Sequence, residues 1–148
     1  GFSSMCNVLY LSTDSPDDLT VHNTELLRFE KQADDPAKPG IALLAYPNRW
    51  YVGSKSGCSC TFRRFCVGNT MEFGEPVDWH LEGQDEIDAS AQFYSVVESL
   101  LTAGHQVDCL DTWNDELPAE IETIHVSFAA VSAAAFRFFE GYRFTFDL

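Results

Sequence analysis

Apolar and polar positions alternate along this chain with two different periods, and where the period changes the predicted elements change with it. Residues 6–12 (CNVLYLS) form a short β-prone run that is apolar on both faces, the pattern of a central strand. Asp14-Ser15-Pro16-Asp17-Asp18 breaks that run, and Ser15 with Pro16 after it predicts the start of a brief helix. Residues 26–32 alternate Leu27 and Phe29 with polar neighbours, as a half-buried strand does. Residues 33–40, with two Pro, two Asp and a Gly, read as a surface loop. Residues 41–46, 49–54 and 58–66 then read as three successive strands joined at Pro47-Asn48 and Ser56-Gly57.

From residue 85 the period lengthens. Ile87, Ala91, Tyr94, Val97 and Leu101 recur at helical spacing and predict one long helix over 85–103 with that stripe facing the core. Asp85 and Asp88 suit its positive end, and Gly104 supplies the stop. Period-two patterns return at 105–112, 121–128 and 142–146, with Tyr142, Phe144 and Phe146 on one face of the last. Between the last two, Ser132 heads a short helical stretch over 133–139. Most strands come in hairpin order, so the expected fold is α+β. It has a mostly antiparallel sheet of about seven strands, one long helix and one or two short ones.

Composition narrows the class. A chain of 148 residues with twelve Phe, five Tyr and three Trp is expected to form a single domain, 1–148, with a substantial core. A net charge of −14 excludes nucleic-acid phosphate and anionic membrane surfaces as expected partners, because both demand clustered Lys and Arg. No run reaches the ~18 consecutive apolar residues of a membrane span. Gly1 to Ser4 read as partly foreign sequence ahead of a native start at Met5, and nothing there resembles a secretory signal. Five cysteines without framework spacing point to a reducing, cytoplasmic setting.

The charge is unevenly spread, and this changes the picture. Residues 36–71 hold no Asp or Glu and carry +5, while the remainder carries −19. That basic island contains Arg49, Lys55, Arg63 and Arg64 together with Cys58, Cys60 and Cys66. A cation beside a thiol favours the thiolate. On a strand Arg64 shares the face of Cys60 and Arg63 takes the opposite one. Three readings of Cys58-Ser59-Cys60 stay open. The two thiols can be small apolar residues on the core side of a strand. They can hold zinc together with Cys6, although a second half of the usual paired motif is absent. They can be redox-active or nucleophilic, with Cys58, Cys60 and His80 as the candidate catalytic groups. The remaining histidines, His22, His105 and His125, share no metal-ligand spacing. Arg49, Trp50, Lys55, Arg64 and Trp79 are the candidate ligand-binding residues, as charged or aromatic positions in or near turns. The acidic residues, including Asp108 and Asp111, default to a solvated surface.

Met5-Cys6 followed by Leu9-Tyr10-Leu11-Ser12, then Tyr51-Val52-Gly53-Ser54 and Gly57-Cys58-Ser59-Cys60-Thr61-Phe62, resembles a family of small bacterial proteins with no assigned function. The resemblance implies a bacterial cytoplasmic protein and lends no catalytic residues. The expectation is a non-catalytic binding or regulatory module with a thiol site around Cys58 and Cys60, acting on a small molecule or a protein. Two alternatives are a cysteine-dependent enzyme or redox protein, and an acidic inhibitor or immunity-type protein that meets a basic partner.

Overall fold

The computed structural model describes residues 7–33, 35, 38–55, 58–64, 83–113, 117 and 119–148. Its strands are β1 (Asn7–Thr13), β2 (Leu27–Gln32), β3 (Asn48–Ser54), β4 (Val107–Trp113), β5 (Glu122–Ser127) and β6 (Tyr142–Asp147), with one long helix, α1 (Gln84–Thr102). They form one sheet in the order β2-β3-β1-β4-β6-β5, antiparallel except for the β5–β6 pair. The α+β class and the largely antiparallel sheet are as expected. The strand count among the described residues is six rather than about seven.

Two of the runs read as strands do not form strands among the described residues. Residues 41–46 lie partly in a 3-10 turn, Pro39–Leu43, instead of a strand. Residues 58–64 form bends and turns, with one isolated bridge from Arg64 to Phe138. The first is a short apolar run and the second a mixed one, and neither carries a period that separates a strand from a turn. The predicted helix over 133–139 is likewise replaced by turns, begun by Ala135 and Phe136 N–H groups donating to the Ser132 carbonyl at 3.0 and 3.1 Å. The short helix predicted after Ser15 appears later, as a 3-10 turn at Leu19–His22 capped by Asp18.

β1 is central because its side chains satisfy two cores. Leu9 and Leu11 point to the face covered by α1, and Tyr10 points to the other. On the α1 face a cluster of aromatic rings fills the core. Phe93 meets Phe138 edge-on at 5.0 Å and Phe136 stacked at 6.1 Å, and Phe62 lies against both Phe93 and Phe138. The buried side of α1 is Ala89, Ser90, Phe93, Tyr94, Val96, Val97 and Leu100. The predicted stripe is therefore displaced by about one residue around the wheel, ~100°. Phe93 decides the rotation, since it has the largest apolar surface to remove from water on that helix. Gly104 ends the helix as expected, at φ 91°, with Gly104 and His105 N–H groups returning to the Leu101 and Leu100 carbonyls at 3.0 Å each.

The second face is smaller, made by Tyr10, Ile41, Leu44 and Leu110. The 3-10 turn covers it closely. A Cβ on Gly40 would stand 3.0 Å from Leu110 Cδ2, so this position suits glycine. The cover is fastened by a fully buried carboxylate, Asp108, which accepts from Ala45 N–H at 2.9 Å, from the Ser12 hydroxyl, and from Arg143 Nε and Nη2 at 2.9 and 2.6 Å. Among the described residues no helix is long and apolar enough to cross a membrane.

Candidate functional site

The Cys58-Ser59-Cys60 segment sits where β1 and β3 part. Ser59 is the anchor. Its hydroxyl donates to the Val52 carbonyl at 2.5 Å and accepts from Leu9 N–H at 2.9 Å, bridging the two strands at a register pair, Leu9 opposite Val52. Its own N–H donates to the Asn7 carbonyl at 3.2 Å. On either side, the Cys58 carbonyl accepts from the Ser54 N–H at 2.8 Å and from its hydroxyl at 2.6 Å, and Thr61 N–H donates to Ser54 Oγ at 2.9 Å. The segment thus supplies partners to backbone groups that would otherwise be orphaned as the strands diverge. Ser59→Ala removes the bridge and leaves a buried N–H and a buried carbonyl unmet. It is expected to lower unfolding free energy by about 2 kcal/mol, read from the urea midpoint, with Ser59→Thr closer to wild type.

Burying Ser59 leaves the flanking Cys58 and Cys60 half-exposed, both as thiols. Cys60 Sγ accepts the Asn7 N–H at 3.3 Å. Arg64 lies beside it. Arg64 Nη1 donates to the Cys60 carbonyl at 3.3 Å, while Nε and Nη2 form a fork on Asp111 at 2.9 Å each. Asn7 Nδ2 donates to Glu140 Oε1 at 2.6 Å, and Gly141 N–H donates to the Asp111 carbonyl at 2.7 Å. The guanidinium also stands over the Phe138 ring, 5.8 Å from its centroid. Arg63 turns the other way, with Nη1 donating to the Ala134 carbonyl at 2.6 Å and its N–H to Ser90 Oγ at 2.8 Å.

Electrostatics in this cluster follow from burial and pairing. Burial opposes the charge on Arg64, but Asp111, then Cys60 and Glu140, outweigh it and hold its pKa above the ordinary guanidinium value. Burial pushes the Asp111 carboxyl up, Arg64 offsets part of that rise, and Glu140 adds to it. Two 2.9 Å bonds in fork geometry are those of an ionised pair. Asp108 and Asp111 are both fully buried, so the solvated surface expected for them is corrected: each has an arginine as counter-ion.

The other candidate residues are not gathered here. Arg49 and Lys55 lie at opposite ends of β3, ~20 Å apart along the strand. Lys55 is exposed and paired with Asp85 at 3.0 Å. Trp50 is buried, edge-on to Phe29 at 6.4 Å, with Lys31 Nζ 4.8 Å from its ring centroid. His105 is held by Asp14 at 3.3 Å, and His125 bonds Thr145 and Asp147 at 2.8 Å each. His22 lines an open groove between the first 3-10 turn and α1, with Leu27, Ala91 and Val96. Cys6, Cys66, Trp79 and His80 lie outside the described residues, so the zinc set of Cys6, Cys58 and Cys60 and the Cys58–His80 pairing fall there too. Among the described residues no group of three or more His, Cys, Asp or Glu side chains could hold a metal ion.

Sequence reasoning missed Asn7, Ser59, Asp111 and Glu140. A signal for Asp111 was present, since two carboxylates within the otherwise β-prone run VDCLDTW are out of place unless buried against cations. The site and its frame define an acidic α+β protein with a half-exposed thiol set beside a buried arginine–aspartate pair. Comparison with known protein families, with characterised proteins and with solved structures finds no match to this chain.

Proposed function

We propose that this chain is a non-catalytic binding or regulatory protein whose working group is the Cys60 thiol, engaging a small molecule or a protein partner. The single observation that carries this reading is the setting of Cys60 Sγ, which accepts a backbone N–H and neighbours a buried guanidinium. Both favour the thiolate, the reactive form. Of the described histidines, His105 and His125 are engaged by Asp14, Thr145 and Asp147, away from Cys60.

Labelling with a maleimide at neutral pH tests the proposal. Cys109 is the internal reference, because complete burial pushes its thiol pKa well above the ordinary value. Cys60 is expected to react at least about a hundredfold faster than Cys109 in the folded protein. Arg64→Gln also bares the buried Asp111 carboxylate and lowers stability, so the expected several-fold slowing of Cys60 is read on protein whose Cys109 stays protected from the label. Equal rates at the two cysteines would remove the reading.

A further inference from the structure

We infer that Cys58 and Cys60 form a reversible thiol–disulfide pair, in which Cys60 is attacked first and Cys58 resolves it. The inference rests on Cys60 being the reactive thiol, and it adds a second group and a chemistry. An extended strand would hold the Cα atoms of residues two apart at ~6.6 Å, near the far limit of the ~4.4–6.8 Å that bridged cysteines span. The structure puts a turn there, with Ser59 and Cys60 as turn residues, and a turn shortens that separation. Ser59 is pinned inward by its three hydrogen bonds to Asn7, Leu9 and Val52, which leaves its two neighbours as the half-exposed groups of the turn. Burial protects Cys109 from the same chemistry.

The co-reactant is a low-molecular-weight disulfide of the glutathione class. The Cys60 thiolate attacks one sulfur of that disulfide, forms a mixed disulfide and expels one thiolate. Cys58 then loses its proton to water, attacks the Cys60 sulfur and expels the second thiolate. Two thiols and one disulfide become one Cys58–Cys60 disulfide and two small thiols, so two electrons and two protons pass to the reagent. The bridge turns Cys60 Sγ toward Cys58 and withdraws the acceptor from Asn7 N–H. It also removes the free sulfur beside Arg64. Oxidation therefore acts at the entry to β1, the central strand of the sheet.

The test treats the reduced full-length chain with oxidised glutathione and maps the products by peptide mass. The wild type is expected to lose two hydrogens on the peptide holding both cysteines, with no glutathione retained. Cys58→Ser is expected to keep one glutathione on Cys60, and Cys60→Ser to react at least about tenfold more slowly at Cys58. A stable glutathione adduct on Cys60 of the wild type overturns the pair and leaves the reactive Cys60 standing. A bridge from either residue to a different cysteine also overturns the pair. No reaction at Cys60 in the wild type or in Cys58→Ser overturns both readings.

Discussion

Asp111→Asn is expected to destabilise the fold by about 3–5 kcal/mol, because it strands a guanidinium in a site built for an ion pair. The Arg64 side chain is 11% exposed and that of Asp111 is 0%, so water cannot replace the lost partner. The amide can still accept one hydrogen bond, but it carries no charge. Arg64→Met alone should cost a similar amount by leaving the carboxylate bare. The double variant Arg64→Met with Asp111→Leu should recover most of that loss, since an apolar pair of similar volume needs no desolvation. The pH dependence gives a second readout. Folding raises the Asp111 pKa above its unfolded value near 3.8. The stability linked to its bound proton is therefore fully present below that value and is lost as pH rises through the folded one. The double variant should lack that step. Urea midpoints at several pH values measure both effects, and a double variant as unstable as the single ones would refute the ion-pair account.

Asp108→Ala is expected to cost a comparable 3–5 kcal/mol, about the cost of breaking a buried pair. Here the consequence is also spatial. Asp108 joins β4, β1 and β6 to the segment that closes the second core, through Arg143, Ser12 and the Ala45 N–H. Tyr46 N–H completes the clamp by donating to Ser12 Oγ at 3.1 Å. Without the carboxylate, residues 39–47 lose their fastening over Tyr10 and Leu110. Limited proteolysis should then cut within 39–47 in the variant well before it cuts the wild type. Cleavage at wild-type rates would show that apolar contact of Ile41 and Leu44 holds the cover without the clamp.

The amount of the fold legible in the chain varies with how much each element depends on its own residues. The strands at 6–12, 26–32, 49–54, 105–112, 121–128 and 142–146 were readable within a residue or two, because alternation in the half-buried strands and β-prone apolar runs in the central ones both reflect burial on a pleated surface. The long helix and its Gly104 stop were readable for the equivalent reason at the helical period. The rotation of α1 was not, since several apolar residues lie around its circumference and only contact with Phe62, Phe136, Phe138 and Phe146 selects Phe93 as the inward side.

The site divides along the same line. Its basic residues and thiols stand out in a chain of charge −14, and the neighbourhood of Cys60 and Arg64 follows from their short separation in sequence. Asn7, Asp111 and Glu140 come from positions 53, 51 and 80 residues away from Cys60, so no local pattern could nominate them. Local periodicity reports which side of an element avoids water, and that much is written residue by residue. Which charge neutralises which, and which of three adjacent residues is driven inward while its neighbours stay at the surface, depends on strands meeting across the sheet. Those pairings exist once the chain has closed on itself, because a buried ion is tolerable when its counter-ion arrives with it.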